Sequence, residues 1–184
     1  MADLLHLWHA EHAKFARLLD LLEKELHVFH DGGQPDYELM TDIVRYLTEY
    51  ADAFHHPRED VGFERLKMKD PTMVTRVNRL MQEHRVLGEA GRQLMDRLGA
   101  VESEVVMPRG DIEAAAATYL LYYRQHINFE EAEILPRIAQ VFTADDWAAV
   151  TAVKSHGRDP LFGEHADDRF IALRRRIAEE VAAH

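Results

Sequence analysis

The strongest constraint in this sequence is a pattern that occurs twice. "AEHAKF" sets His12 directly after a glutamate, and further on "FHHPRED" sets His55 and Glu59 four apart. "QEHRVL" then sets His84 after a glutamate, and further on "HINFEE" sets His126 and Glu130 four apart. The interval from His12 to His55 equals that from His84 to His126 to within one position. The copies stay in step, since His55 to His126 and Glu59 to Glu130 are the same offset and His12 to His84 is one position longer. Residues four apart share one face of a helix, with about 5–6 Å between their Cβ atoms. A single such pair is equally an ordinary surface couple. Two matched copies, each with a histidine one helix earlier, form an internal pseudo-repeat.

The hydrophobic pattern supplies the helices. Leu4, Leu7, Trp8, Phe15, Leu18, Leu19, Leu22 and Leu26 recur at three- and four-residue intervals, which predicts a helix over 3–30, stopped by "DGGQPD". A second helix is expected over 37–67, with a kink or break near His55 because Pro57 removes a backbone donor. A third follows over 72–98 after "KDPT". A fourth runs over 111–142 and is bent or interrupted by Pro136, with 99–111 as an irregular connection. "TADDW" reads as an N-cap followed by acids, opening a short helix at 143. "HGRDPLFGEH" reads as a turn, and a last helix covers 164–183. No stretch alternates as a strand would. The expectation is an all-α fold: an antiparallel up-down four-helix bundle over 1–142, with an extension over 143–184 carrying one or two helices packed outside it.

A two-fold relation between the halves would bring His12, His55, Glu59, His84, His126 and Glu130 to one level of the interior. Two buried carboxylates there require charge partners. Two divalent cations meet that requirement. Each would take two imidazoles, both carboxylates would bridge the pair, and one or two positions of a six-coordinate ion would stay open. The chain has no cysteine, so thiolate zinc sites, iron–sulfur clusters and disulfides are excluded, and nitrogen with oxygen donors suits iron, manganese or zinc.

These residues resemble the hemerythrin-like (HHE cation-binding) family over about 4–142. The resemblance implies a four-helix bundle around two carboxylate-bridged non-haem irons. By position, His12 is similar to the first-helix ligand, His55 and Glu59 to the second-helix pair, His84 to the third-helix ligand, and His126 and Glu130 to the fourth-helix pair. Two departures stand out. Oxygen-carrying members place a further histidine one turn before the third-helix ligand, where this chain has Leu80. They also separate the fourth-helix pair by five rather than four, which would select Glu131; Glu130 preserves the repeat and lies nearer the face of His126.

Other candidates remain open. His56 sits 100° around the helix from His55, as a ligand, a partner of one, or a surface residue at the kink. His9, Glu11 and Glu83 read as partly exposed helix residues or as hydrogen-bond partners of the imidazoles. Glu133 reads as a salt-bridge residue or the mark of an ion path. Trp8, Tyr50, Tyr119 and Tyr122 read as aromatic core or as donors to a bound oxygen species.

The formal charge of −11 argues against nucleic acid, and "RRR" at 174–176, flanked by acids, reads as a solvated helix face. No apolar run approaches the ~18 residues of a membrane span. The opening residues carry acids and lack a basic segment, so a cytoplasmic chain, monomeric or homodimeric, is expected. The functions expected are binding, sensing or scavenging of dioxygen, peroxide or nitric oxide at a di-iron site, with zinc or manganese as substitutes. The alternatives are an enzyme decomposing peroxide or nitric oxide, a metal-responsive regulatory or storage protein, and a metal-free helical interaction module.

Overall fold

The computed structural model describes residues 2–103, 105–153, 159–164 and 166–182; His156, His165 and His184 lie outside them, as does part of the expected turn over 156–165. Among the described residues every regular element is helical. Helix α1 spans Ala2–His30. Helices α2 (Tyr37–Tyr50) and α3 (His56–Lys69) form one rod, as do α5 (Arg109–Phe129) and α6 (Leu135–Val141), while α4 spans Val74–Glu102. Two short helices follow, α7 (Ala144–Thr151) and α8 (Ile171–Ala182). No helix among the described residues is long and apolar enough to cross a membrane.

The stop signals act as their chemistry requires. After α1, Gly32 takes φ +85°, a region that costs other residues a Cβ clash, and the Gly33 N–H returns to the Val28 carbonyl at 2.9 Å. Asp36 caps α2 by accepting from the Leu39 N–H at 2.9 Å. Asp70 ends α3 in extended geometry and caps a 3-10 turn, Pro71–Met73, that leads into α4. Thr143 and Asp146 form a reciprocal capping box on α7.

The two prolines do not break their helices. Each is preceded by one π-helical turn, Ala51–His55 before α3 and Glu130–Ile134 before α6. The His56 N–H reaches the Ala51 carbonyl and the Leu135 N–H reaches the Glu130 carbonyl, five positions back in both cases. The wider turn absorbs the missing proline donor and relieves the ring's clash with the carbonyl four positions earlier. Two further boundaries differ from expectation. Helix α4 continues to Glu102 because Leu98 and its neighbours still pack inward, and α8 starts at Ile171 after a 3-10 turn, Asp168–Phe170.

The rods pack as a ring of neighbours: α1 against α2 and α5, and α4 against α2 and α5. Helix α7 packs on α3 and α8 on α2. Their buried side chains form two separate apolar clusters. One contains Phe15, Leu47, Tyr50, Leu87, Tyr119 and Tyr123; the other contains Trp8, Phe63, Val77, Leu80, Ile134 and Trp147. Each large apolar side chain buried contributes about 1.5–3 kcal/mol. Between the clusters lies a polar layer, with Phe15 edge-on to His55 at 4.9 Å on one side and Phe63 stacked near His84 at 5.8 Å on the other.

Candidate metal centre

All six residues of the repeat enter this layer. Glu59 and Glu130 are 0% exposed, and His12, His55, His84 and His126 are buried beside them. Helical spacing brings each pair together, so His55 Nε2 is 3.1 Å from Glu59 Oε1 and His126 Nε2 is 3.1 Å from Glu130 Oε1. The cross-helix distances are more informative. Glu59 Oε1 also approaches His12 Nε2 at 3.4 Å, while its Oε2 faces His84 Nε2 at 3.6 Å. Glu130 Oε2 approaches His12 Nε2 at 3.2 Å, while its Oε1 also faces His84 Nε2 at 3.6 Å. Each carboxylate thus gives one oxygen to the His12–His55 pair or its His12 member, and the other to the His84–His126 pair.

The opposite edge of every imidazole is held by an acid. His12 Nδ1 meets Glu131 at 2.7 Å, His55 Nδ1 meets Glu11 at 2.8 Å, His84 Nδ1 meets Asp60 at 2.9 Å, and His126 Nδ1 meets Glu83 at 3.2 Å. A carboxylate accepts only, so a neutral ring in this setting carries its proton on Nδ1 and turns the Nε2 lone pair inward. His12 and His55 then bring two Nε2 atoms to 3.1 Å of one another. Both oxygens of Glu59, both of Glu130, and Nε2 of His84 and of His126 are buried without a hydrogen-bond partner among the described residues. Such an array is suited to a cation at its centre.

The electrostatics agree. Burial and the nearby Glu130 push Glu59 upward, but His55 and His12 hold it well below the usual carboxylate range. Burial opposes charge on His84, yet Asp60 and Glu130 lift it to about 10. Without metal the carboxylates therefore recruit protons onto the imidazoles, and a metal held by the same residues would displace those protons. The donor set is all nitrogen and oxygen. Among the described residues two groups lie close enough to hold an ion, His12–His55–Glu59 and His56–Glu59–His84–His126, with ligand atoms within 4.8 Å of one another in each.

His56 makes these groups unequal. Its ring stacks on His84 at 4.1 Å and 14°, and its Nδ1 lies 3.1 Å from Asp52 Oδ1. Burial and His84 hold it down at about 4, so the ring is neutral. His56 follows His55, and its counterpart in the second copy, the residue that follows His126, is Ile127. Neither Glu130 nor Glu131 belongs to either group; Glu130 faces His12, His84 and His126 from within the layer, whereas Glu131 holds His12 Nδ1 with one oxygen and takes His9 Nδ1 at 2.6 Å with the other. Glu133 pairs with Arg76 at 2.7 Å. Tyr50 donates to Glu11 at 2.8 Å, Tyr122 is exposed, and the hydroxyls of Tyr119 and Tyr123 are buried without a hydrogen-bond partner among the described residues.

Reading the sequence missed the acceptor role of Asp52 and Asp60 and left Glu11 and Glu83 open between surface acids and hydrogen-bond partners of the imidazoles. A signal for most of them was present: every donor except His55 and His126 has an acid beside it, as Glu11–His12, Glu83–His84, Glu59–Asp60 and Glu130–Glu131.

The sequence model of the hemerythrin HHE cation-binding domain matches residues 3–138. The chain belongs to the hemerythrin HHE family. No curated protein and no solved structure matches it. The family match covers all four rods as far as α6 and every donor of the polar layer, so the candidate metal centre lies wholly within the matched segment.

Proposed function

We propose that this hemerythrin-like chain holds two iron ions through His12, His55, Glu59, His84, His126 and Glu130, with His56 as a fifth imidazole on the His84–His126 side, and that it binds dioxygen, peroxide or nitric oxide there. The observation that carries this reading is the pair of fully buried carboxylates whose oxygens face both imidazole pairs and have no hydrogen-bond partner among the described residues. We further assign the four rods an up-down antiparallel order over 1–142, with 143–184 as an extension. When bound, the iron pair supplies exchangeable coordination positions and redox electrons for a small oxygen or nitrogen species.

The chain's own residues supply the rest. Glu131, Glu11, Asp60 and Glu83 fix the tautomer and rotation of the four imidazoles, a role that in metal sites typically affects affinity 10–100-fold. Phe15 and Phe63 keep bulk water from the layer on its two sides. Leu80 is buried with Trp8, Phe63 and Val77, so the third rod offers only His84 as a donor.

A second reading, turnover of peroxide or nitric oxide, draws support from Asp52. Its side chain is 39% exposed and accepts from His56, giving a proton a path between solvent and the layer. Metal analysis with anomalous diffraction tests the first reading. Iron-replete protein should contain close to two metals per chain, with zinc or manganese able to substitute. A reproducible content of one, fully occupied, rejects it.

A further inference from the structure

The two edges of the polar layer are closed to different degrees. On the His12–His55 edge, Arg58 Nη2 lies 2.8 Å from Glu11 Oε1, Tyr50 donates to the same carboxylate, and Glu131 joins His12 to His9. Phe15 covers His55 from below. On the opposite edge a cleft of about 310 Å³ opens to solvent, and its lining includes both His56 and His84.

We propose that this cleft is the route by which metal ions and small ligands reach the donor set, an inference that rests on the metal-site reading above. The stacked His56 and His84 rings form its inner wall, so an incoming species meets a donor imidazole without any helix having to part. Asp52 and Asp60 stand in the same lining, each already holding an imidazole N–H. An arriving cation meets their carboxylate oxygens first; the Nδ1–H edges that those oxygens hold cannot coordinate, so the ion moves past the rings to the inward Nε2 lone pairs. Arg92 at the rim gives the cleft a cationic group beside the two acids, so neither charge sign is excluded. The opening depends on Gly88. A Cβ there would lie 2.9 Å from Asp52 Oδ2 and 3.5 Å from Arg92 Nη1, filling the space between wall and rim. A second cavity, of about 210 Å³, is lined by Glu83 and Tyr122 but by none of the donors, and so stops short of the layer.

The absence of cysteine makes the test direct. Arg92→Cys places a single thiol at the rim, where a bulky methanethiosulfonate reagent can plug the cleft and a reductant can remove the plug. Gln125→Cys, at the second cavity, serves as the control. Two rates are read: cobalt(II) uptake by metal-free protein, and azide association with iron-loaded protein by stopped-flow absorbance. Labelled Arg92→Cys should slow both at least about tenfold relative to the same protein unlabelled, cobalt uptake should recover after the label is cleaved, and labelled Gln125→Cys should change neither. Unchanged rates at fully labelled Arg92→Cys, or equal slowing at Gln125→Cys, overturn the route while leaving the metal site standing. Wild-type protein that takes up no cobalt and shows no azide band overturns the metal site, and the route with it.

Discussion

Around His55 the supporting acid, Glu11, is buried and carries three partners: the imidazole, Tyr50 and Arg58. Around His126 the equivalent acid, Glu83, is about a quarter exposed, and its other partner is Arg79 at 2.6 Å on the surface. The offset of the repeat explains the contrast. With His126 aligned on His55, the positions of Tyr50, His56 and Arg58 are taken in the second copy by Leu121, Ile127 and Phe129, none of which can hydrogen-bond through its side chain. The six repeat donors keep their type in both halves and the acids that orient them keep their positions, with Asp60 answering Glu131, whereas His56 has no counterpart and the enclosing residues differ. Coordination tolerates little variation in donor type or angle, so both copies keep it; enclosure has many solutions, and here one half is sealed by charge and the other opens at His56.

The most severe way to break the comparison is to remove what the halves share. Glu59→Ala or Glu130→Ala withdraws oxygens from both imidazole pairs at once. Metal content should fall from near two per chain toward zero in either variant, and the melting temperature should fall with it because metal binding is coupled to folding. A variant that retains one tightly held ion would mean that each carboxylate serves a single half.

Removing the orienting acids one at a time comes next in size. Glu11→Gln and Glu83→Gln should each weaken metal binding by about 10–100-fold in competition with a chelator. The Glu11 change should be the larger. It also leaves Arg58 in a mostly buried place without its carboxylate, costing about 1–3 kcal/mol, or several degrees of melting temperature for a chain of this size. Equal effects in the two variants would show that enclosure contributes nothing to the first half.

This ranking was not legible in the sequence, although much of its framework was. The rods follow from three- and four-residue apolar spacing and from Gly, Pro and Asp at their ends, because those residues act through the local backbone. The inward convergence of His12, His55, Glu59, His84, His126 and Glu130 follows from the repeat and helical periodicity. What an acid beside a ligand does depends on the helix opposite it. Glu131, from the last rod, serves His12 in the first, and Asp60 on α3 serves His84 on α4. Spacing within one helix carries no information about such partners. Tyr122 and Tyr123 make the same point, since only the rotation of α5 against its neighbours buries the second and exposes the first. The π turns were invisible for another reason: a proline announces a disturbed helix but not whether the chain breaks, kinks or widens.

A smaller change sharpens the asymmetry. His56→Ile copies the residue found at the corresponding place in the other half. Metal content should remain near two, because both carboxylates and four imidazoles are untouched. Affinity for one of the two ions, read by stepwise chelation, should fall by about tenfold, in the range expected for loss of one supporting interaction. If both ions weaken together, His56 acts on the layer as a whole rather than on the His84–His126 side.

The mildest effect concerns acid stability of the metal-free protein. Burial pushes Glu11 upward, but His55 and Arg58 hold it at about 2 against an ordinary value of 4.5. Glu83 is also lowered, by the hydrogen bond from His126 and by Arg79, but with more of its surface in water. A carboxylate depressed in the folded state contributes stability that is fully present above its unfolded pKa and lost as pH falls through the folded one. For Glu11 that window runs from 4.5 down to about 2. Glu59 and Glu130 respond in the same direction, so wild-type stability should decline on acidification whatever Glu11 does. The informative quantity is the slope difference between variants. Urea melts of metal-free protein between about pH 5 and 2.5 should show a shallower decline for Glu11→Gln than for wild type, and a slope closer to wild type for Glu83→Gln. Identical slopes for wild type and Glu11→Gln would show that the buried network around His55 holds no carboxylate charge, and the two halves would then differ in shape alone.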